Sequence, residues 1–219
     1  MAAEADVIDH ESVLDRAWSA PGNTAIELPP ADVNRVLRER YEGDGDIRLT
    51  RTMLWDMEVR KASAPDRFIP TVVRPGSAER FPGVRIGAVE SFTRVSDQRL
   101  WLEPAVYGTV VEHVRVDHHR QSVIFIGVGR FEAPDGRTFV AGTGQPLFHV
   151  EHAVAGTEDD PLNLWRIVHL TDAVDPVSVA LFGELGRDPY LRVFVEVYIR
   201  EILGRRLERR PAGAGDPVR

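Results

Sequence analysis

Glu112 is the first residue whose place in the pattern suggests chemistry. It lies in VYGTVVEHVRV, residues 106–116. Strand alternation there puts Val106, Gly108, Val110, Glu112, Val114 and Val116 on one face, and Tyr107, Thr109, Val111, His113 and Arg115 on the other. Glu112 is the one polar residue on the apolar face. A carboxylate so placed must find a partner or keep its proton. On a cavity wall it is a candidate general acid or base; a β-bulge or an ordinary salt bridge is the structural alternative. Arg166 raises the same question in LNLWRIVHL, residues 162–170. In one register its face is Leu162, Leu164, Arg166, Val168 and Leu170, and a guanidinium cannot shed its charge, so it needs an anion such as Glu112. In the other register Trp165, Ile167 and His169 face inward and Arg166 meets water. Both registers are open.

His113, His118, His119, His149, His152 and His169 form a second set. His149 and Glu151 share a strand face at i and i+2, and with His169 on a neighbouring strand a two-histidine, one-carboxylate metal site is conceivable. No ligand spacing of a known helix or strand site accompanies it, so no metal is expected. His118 and His119 fall in a polar turn. There is no GxSxG elbow and no phosphate-binding glycine loop; the glycines of GVGRFEAPDG lie in a strand and hairpin context. With no cysteine, thiolate chemistry and disulfides are excluded. The expected catalytic set is Glu112, Arg166 and His169, with no cofactor. Trp55, Trp101, His152, Trp165, Tyr190, Phe194 and Tyr198 are the candidates for ligand contact. Large aromatics are core by default, but a buried tyrosine hydroxyl wants a partner and can orient a carbonyl or phenol.

The elements that must position these residues follow from periodicity. Residues 10–20 and 31–41 read as short surface helices, the second behind Pro29 and Pro30. EGDGD, residues 42–46, is a loop. The stretch IRL is β-rich. From Thr52 the apolar positions are Met53, Leu54, Met57 and the stem of Lys61, spaced three and four apart, which predicts a helix with Thr50 as N-cap. Ser63 and Pro65 stop it, and DRFIP is a second helical turn. Strand-like segments follow at 84–95, 99–104, 106–116, 122–131, 137–152 and 162–170, with APDG (133–136) as a hairpin turn. Short connections argue for an antiparallel meander. Residues 188–210 predict one long amphipathic helix, with Asp188 as N-cap, Pro189 at its first position and Arg192, Glu196 and Arg200 on the wet face. Residues 211–219 form a tail.

Composition bounds the rest. The chain has 219 residues and is 43% hydrophobic, enough for a domain with a real core. Its net charge of −7, with no basic block, argues against a nucleic-acid partner. Lys61 is the only lysine among 27 basic residues, read here as coding bias. The acidic first residues do not read as a signal peptide, and no apolar run reaches the roughly 18 residues of a membrane span. A cytoplasmic protein is expected, and a homodimer is compatible with the sequence.

An antiparallel sheet needs its apolar face covered, and a helix laid across a curved sheet leaves a cavity beneath it. At this point the stretch LTRTMLWDMEVRKASAPDRFIPTVVRPGSAERFPG resembles the opening of the START-like superfamily, the polyketide cyclase and plant pollen allergen type: a strand, a helix pair with an early tryptophan, then a meander. It is similar in particular to a branch related to an acetylaranotin-cluster protein, through Leu49–Arg51, Trp55, Lys61 with Ala62, Phe68–Pro70, Glu79–Phe81 and the late VYIREI. The resemblance covers about residues 45–208, leaves residues 1–44 as a helical extension, and leaves residues 172–187 as an added lid or interface. It implies an α+β helix-grip fold of six or seven curved antiparallel strands, closed by a long C-terminal helix around a ligand cavity. It implies either a cofactor-free cyclase, dehydratase or isomerase for an apolar, polyketide-like metabolite, or a carrier or sensor without chemistry. A hot-dog thioesterase or dehydratase, whose long helix precedes its meander, is the remaining alternative.

Overall fold

The computed structural model describes residues 8–100, 104–142, 144 and 146–211. The chain forms helix α1 (His10–Ser19), strands β1 (Thr24–Glu27) and β2 (Ala31–Asp32), helix α2 (Val33–Arg40), strand β3 (Tyr41–Gly43), and helices α3 (Arg51–Ser63) and α4 (Pro65–Phe68). Strands β4 (Glu79–Ile86), β5 (Val89–Arg99), β6 (Tyr107–Asp117), β7 (Ser122–Gly127), β8 (Arg130–Glu132), β9 (Thr138–Val140), β10 (Phe148–Gly156) and β11 (Pro161–His169) follow. Helix α5 (Pro176–Arg187), helix α6 (Val193–Val197), a π-helical turn (Tyr198–Ile202) and β12 (Leu207–Arg209) complete it.

One antiparallel sheet dominates, in the order β1-β11-β10-β7-β6-β5-β4, with β2 also paired to β11. This is the α+β sheet with a C-terminal helix expected from the sequence. Its inner face carries Phe92, Val114, Val116, Val123, Phe125 and Val154, which join Leu54, Met57, Phe68, Phe194 and Ile199 of the helices in the main core. Its outer face is also covered. Helix α1 packs Leu14 on Ile124, Ile126 and Val168. The β8–β9 hairpin, turned at Gly136 with φ of 85°, lays Phe131 and Phe139 near Phe81, Val95 and Val111. Three helical segments and a void cover the inner face, whereas a hot-dog sheet wraps one long helix. No helix among the described residues is long and apolar enough to cross a membrane.

Several elements differ from their expected bounds. The closing helix is shorter than residues 188–210. Asp188 is the C-terminal cap of α5, and its carboxylate accepts from the Tyr190 amide, so Pro189 lies in the connection between the helices and α6 starts only at Val193. Gly204, at φ of 63°, follows the helical run, and the chain returns as β12 along β3. Glu196 is buried rather than wet, because β3 and β12 cover that side: Tyr41 donates to it at 2.6 Å and Arg209 at 2.6 Å. The segment at 84–95 is split by a hairpin at Gly87, whose φ of 59° favours a residue without a Cβ. The segment at 122–131 breaks after Gly127, and that at 137–152 divides into β9 and β10. Leu100 and Pro104 lie outside any strand, and residues 47–49 form none; the Asn34 amide holds Leu49 instead, donating to its carbonyl and accepting from its amide. The helix from Thr50 and the turn at Pro65 form as predicted.

Candidate functional site

A cavity of about 160 Å³ lies between the sheet and the helices. Alternate residues of β10, from Phe148 through Val150 to His152, line one wall. Val110 and Glu112 of β6, Phe125 of β7, and Trp165 and Ile167 of β11 continue it. Helix α3 contributes Lys61, α6 contributes Phe194 and α5 contributes Phe182. Thus residues 172–187 supply one end of the cavity, where Phe182 meets Phe148 and Ile167. Most of the lining is apolar. The ionisable side chains on the wall are Lys61, Arg94, Glu112 and His152.

Helix α3 builds the polar end. Thr50 caps it by accepting from the Met53 amide, and the buried stripe then runs through Leu54, Met57, Glu58, Lys61 and Ala62. Spacing of three and four residues places all of these on the core side. Glu58 is 0% exposed and Lys61 3% exposed. Lys61 Nζ lies 2.5 Å from Glu58 Oε2 and 2.5 Å from His152 Nδ1. Because His152 Nδ1 accepts from the ammonium, the imidazole carries its proton on Nε2. Asn163 donates to the other Glu58 oxygen at 2.9 Å, and Trp165 Nε1 donates to Asn163 at 3.0 Å. The lysine nitrogen stands 3.9 Å from the centre of the Phe194 ring, and His152 stacks on Trp165 at 4.0 Å.

Burial and charge set the protonation of this cluster. Burial raises the cost of a charged Glu58, but the Lys61 ammonium and His152 outweigh it and hold the carboxyl down at about 2. Burial pulls Lys61 down to about 8, against the opposing pull of Glu58. Burial, and then the Lys61 charge, push His152 down to about 4. The site therefore holds a carboxylate, a neutral imidazole and an amine whose proton is loosened to about 8.

Arg94 joins this cluster to Glu112. The two residues face each other across β5 and β6, and Arg94 Nε donates to Glu112 Oε2 at 2.6 Å. The same guanidinium donates to the Ala62 carbonyl at 3.0 Å, satisfying an end group of α3, and lies 4.4 Å from the Phe125 ring centre.

The other sequence-derived candidates lie elsewhere. Glu112 does not pair with Arg166. Strand β11 takes the register that points Trp165 and Ile167 inward, so Arg166 is on the outer face, donating to Glu151 at 3.2 Å and stacking 4.5 Å over Trp18. His169 stands behind Phe148, stacked on it at 4.7 Å, with its Nδ1 2.9 Å from Ser178 Oγ. Of the ligand-contact candidates, His152, Trp165 and Phe194 line the cavity. Trp55 turns to the β6–β7 connection, where Nε1 donates to His118 Nδ1 at 3.3 Å. Tyr198 donates to Asp56 at 2.9 Å, and burial first and then that carboxylate push its hydroxyl up to about 12. Tyr190 donates to the Arg210 carbonyl at 2.8 Å, away from the cavity. Trp101 is outside the described residues. His149 lies on the face opposite His152, Phe148 and its partner His169, so the histidine–carboxylate metal arrangement does not assemble. Among the described residues no group of three or more potential ligands could hold a metal ion.

Sequence reasoning missed Glu58, Arg94 and Asn163, and noted Lys61 as a stem in an apolar stripe, as the sole lysine and as part of a family motif, but gave it no role in the site. The signal available was that stripe: a residue at the spacing of Leu54 and Met57 is buried whatever its charge.

No protein-family model matches the chain, and the comparison with curated proteins finds no match. Among solved structures the chain is similar to the Zhui aromatase/cyclase from Streptomyces sp. R1128, at 10% identity and a TM-score of 0.48, covering 81% of this chain and 95% of that one. It is similar to ginseng major latex-like protein 151 from Panax ginseng, at 10% identity and a TM-score of 0.45, covering 76% and 94%. It is also similar to Ara h 8.0201, at 11% identity and a TM-score of 0.46, covering 80% and 95%. At such identities the likeness is one of fold, and the finer placement beside an acetylaranotin-cluster protein is not shown.

Proposed function

We propose that this protein binds a small apolar, ring-bearing molecule in the cavity between sheet and helices and moves protons on it without a cofactor, as a cyclase, dehydratase or isomerase. One observation carries this reading: four ionisable side chains, Lys61, Arg94, Glu112 and His152, stand close together on the wall of a mostly apolar cavity. A carrier has no need of buried charge, and ion pairs taken out of water cost several kcal/mol in desolvation. A cavity of about 160 Å³ admits a body of single-ring size. The favoured ligand is therefore a small relative of the polyketide-like class, or one ring of a longer molecule that enters end-on. In this reading the aromatic walls of Trp165, Phe194 and Phe125 orient the ring, Arg94 neutralises developing negative charge on an oxygen, and Glu112 or His152 takes up a proton.

The second reading, a carrier, is favoured by the apolar end formed by Phe148, Ile167 and Phe182. Native mass spectrometry of the purified protein separates the two. A retained molecule that is slowly converted on incubation supports the enzyme. A retained molecule that leaves unchanged supports the carrier. A chain that neither retains nor takes up any ring compound defeats both.

A further inference from the structure

The sequence holds 26 arginines and one lysine, and that lysine is Lys61. Apart from the histidine imidazoles, every other basic side chain of the protein is thus a guanidinium, which stays protonated under all ordinary conditions. The single position filled by a primary amine is 3% exposed, on the cavity wall, beside a carboxylate that is 0% exposed and a histidine that is 8% exposed. Coding bias accounts for the arginines but not for the exception. An arginine would satisfy Glu58 at least as well, through two parallel hydrogen bonds. What a primary amine offers that a guanidinium does not is a nitrogen that can lose its proton and attack carbon.

We propose that Lys61 is a reacting amine, which condenses with the carbonyl group of a small ring-bearing aldehyde or ketone to form an imine inside the cavity. This inference rests on the binding reading above and names its substrate class. The neighbours suit each step. The ammonium passes a proton to Glu58 or His152, both at 2.5 Å from Nζ. The free amine attacks the carbonyl carbon, so a C–N bond forms and the oxygen takes up a proton. The proton held on Glu58 or His152 then returns to the carbinolamine hydroxyl, which leaves as water: the C–O bond breaks, and the nitrogen keeps one proton as the iminium. Atoms balance as amine plus carbonyl giving imine plus water, with no change in oxidation state and no co-reactant. The charge of the iminium replaces that of the ammonium, so Glu58 keeps its counter-ion. The aromatic faces of Phe194, at 3.9 Å, and Trp165, at 5.4 Å, suit a cation at that point. An iminium draws electrons from the adjacent carbon, which makes loss of a proton there easier and joins this step to the proton transfers proposed for the site.

The sole lysine makes the test direct. Folded protein is incubated with benzaldehyde and cyanoborohydride at pH 7, and the products are mapped by mass spectrometry. The expected result is a benzyl group on Lys61, formed at least roughly tenfold faster than in the urea-unfolded chain, where an ordinary lysine is almost fully protonated. Benzyl alcohol, which fits the same space but cannot condense, should slow the labelling. Lys61→Arg and Lys61→Met should leave label only on the N-terminal amine. Binding of both compounds is measured in parallel by the shift of the thermal midpoint. Benzaldehyde that binds but labels only the N-terminus overturns the inference and leaves the binding reading standing. Failure of both compounds to bind overturns the inference and the binding reading together.

Discussion

Lys61 Nζ and Glu58 Oε2 are 2.5 Å apart, one helical turn from each other on α3, and both side chains are closed off from water. An ion pair so buried is costly to assemble and costlier to break. Removing one partner strands the other charge in an apolar setting. Glu58→Gln should therefore destabilise the fold by about 3–5 kcal/mol, measured by urea unfolding. The double variant Glu58→Gln with Lys61→Met removes both charges and should lose less than Glu58→Gln alone. Additive losses from the two changes would mean that the pair does not interact.

The same cluster sets a pH dependence with a definite sign. Glu58, Lys61 and His152 all have folded values below their ordinary ones, at about 2, 8 and 4. The folded state then binds fewer protons than the unfolded state in each window, and stability rises with pH in all three. Stability should fall on acidification from about pH 6.5 to 4 through His152, and continue to fall towards pH 2 through Glu58. Between about pH 8 and 10.5 the cost of a buried charged lysine is relieved and stability should rise. Burial lowers His10, His113, His149 and His169 as well, and they add to the upper acid window. His152→Gln isolates its own share: its stability curve should be shallower between pH 6.5 and 4. Parallel curves for the variant and the parent would sink this assignment.

Glu112 meets the cavity through its pair with Arg94 at 2.6 Å. Glu112→Gln keeps the shape and a hydrogen-bond acceptor for the guanidinium but loses the base. If Glu112 takes the proton, turnover of the retained ligand should drop by about 10²–10⁴-fold while affinity stays nearly intact. Turnover unchanged within error would remove Glu112 from the mechanism and leave His152 as the base.

The parts of this architecture visible in the sequence were those with a local cause. Thr50, Pro65 and the spacing of Met53, Leu54 and Met57 act within one or two turns, and the two helices form where that spacing predicts. Alternation in residues 106–116 placed Glu112 on the inner face with Val110 and Val114, and that strand forms within a residue of its expected bounds. What periodicity cannot give is the partner across the sheet. Arg94 lies opposite Glu112 only because β5 and β6 pair in one register, and nothing in VESFTRV marks Arg94 as inward. The register of β11 was open for the same reason, since both of its faces carry bulky apolar residues around Arg166 and Trp165. The shortened closing helix is also a tertiary effect: Asp188 and Pro189 look like a helix start, but Asp188 already caps the end of α5, and Leu191 stays outside any helix, its amide donating to Tyr41 Oη at 2.9 Å.

Phe182 closes the apolar end of the cavity and is 2% exposed, packed on Ile167, Leu28 and Phe148. Its removal should test whether α5 shapes the ligand space or merely covers the sheet. Phe182→Ala deletes a buried ring and should cost about 3–5 kcal/mol if the surroundings do not collapse into the gap. The space it vacates is continuous with the existing cavity, because Phe182 is itself part of the wall. The variant should therefore accept a two-ring compound such as naphthalene more tightly than the parent, by about tenfold or more, while binding of a single-ring compound weakens as contacts are lost. Calorimetric titration of both compounds into both proteins decides it. A variant that is destabilised but keeps the parental preference would show that α5 settles inward and that the cavity ends at Ile167 instead.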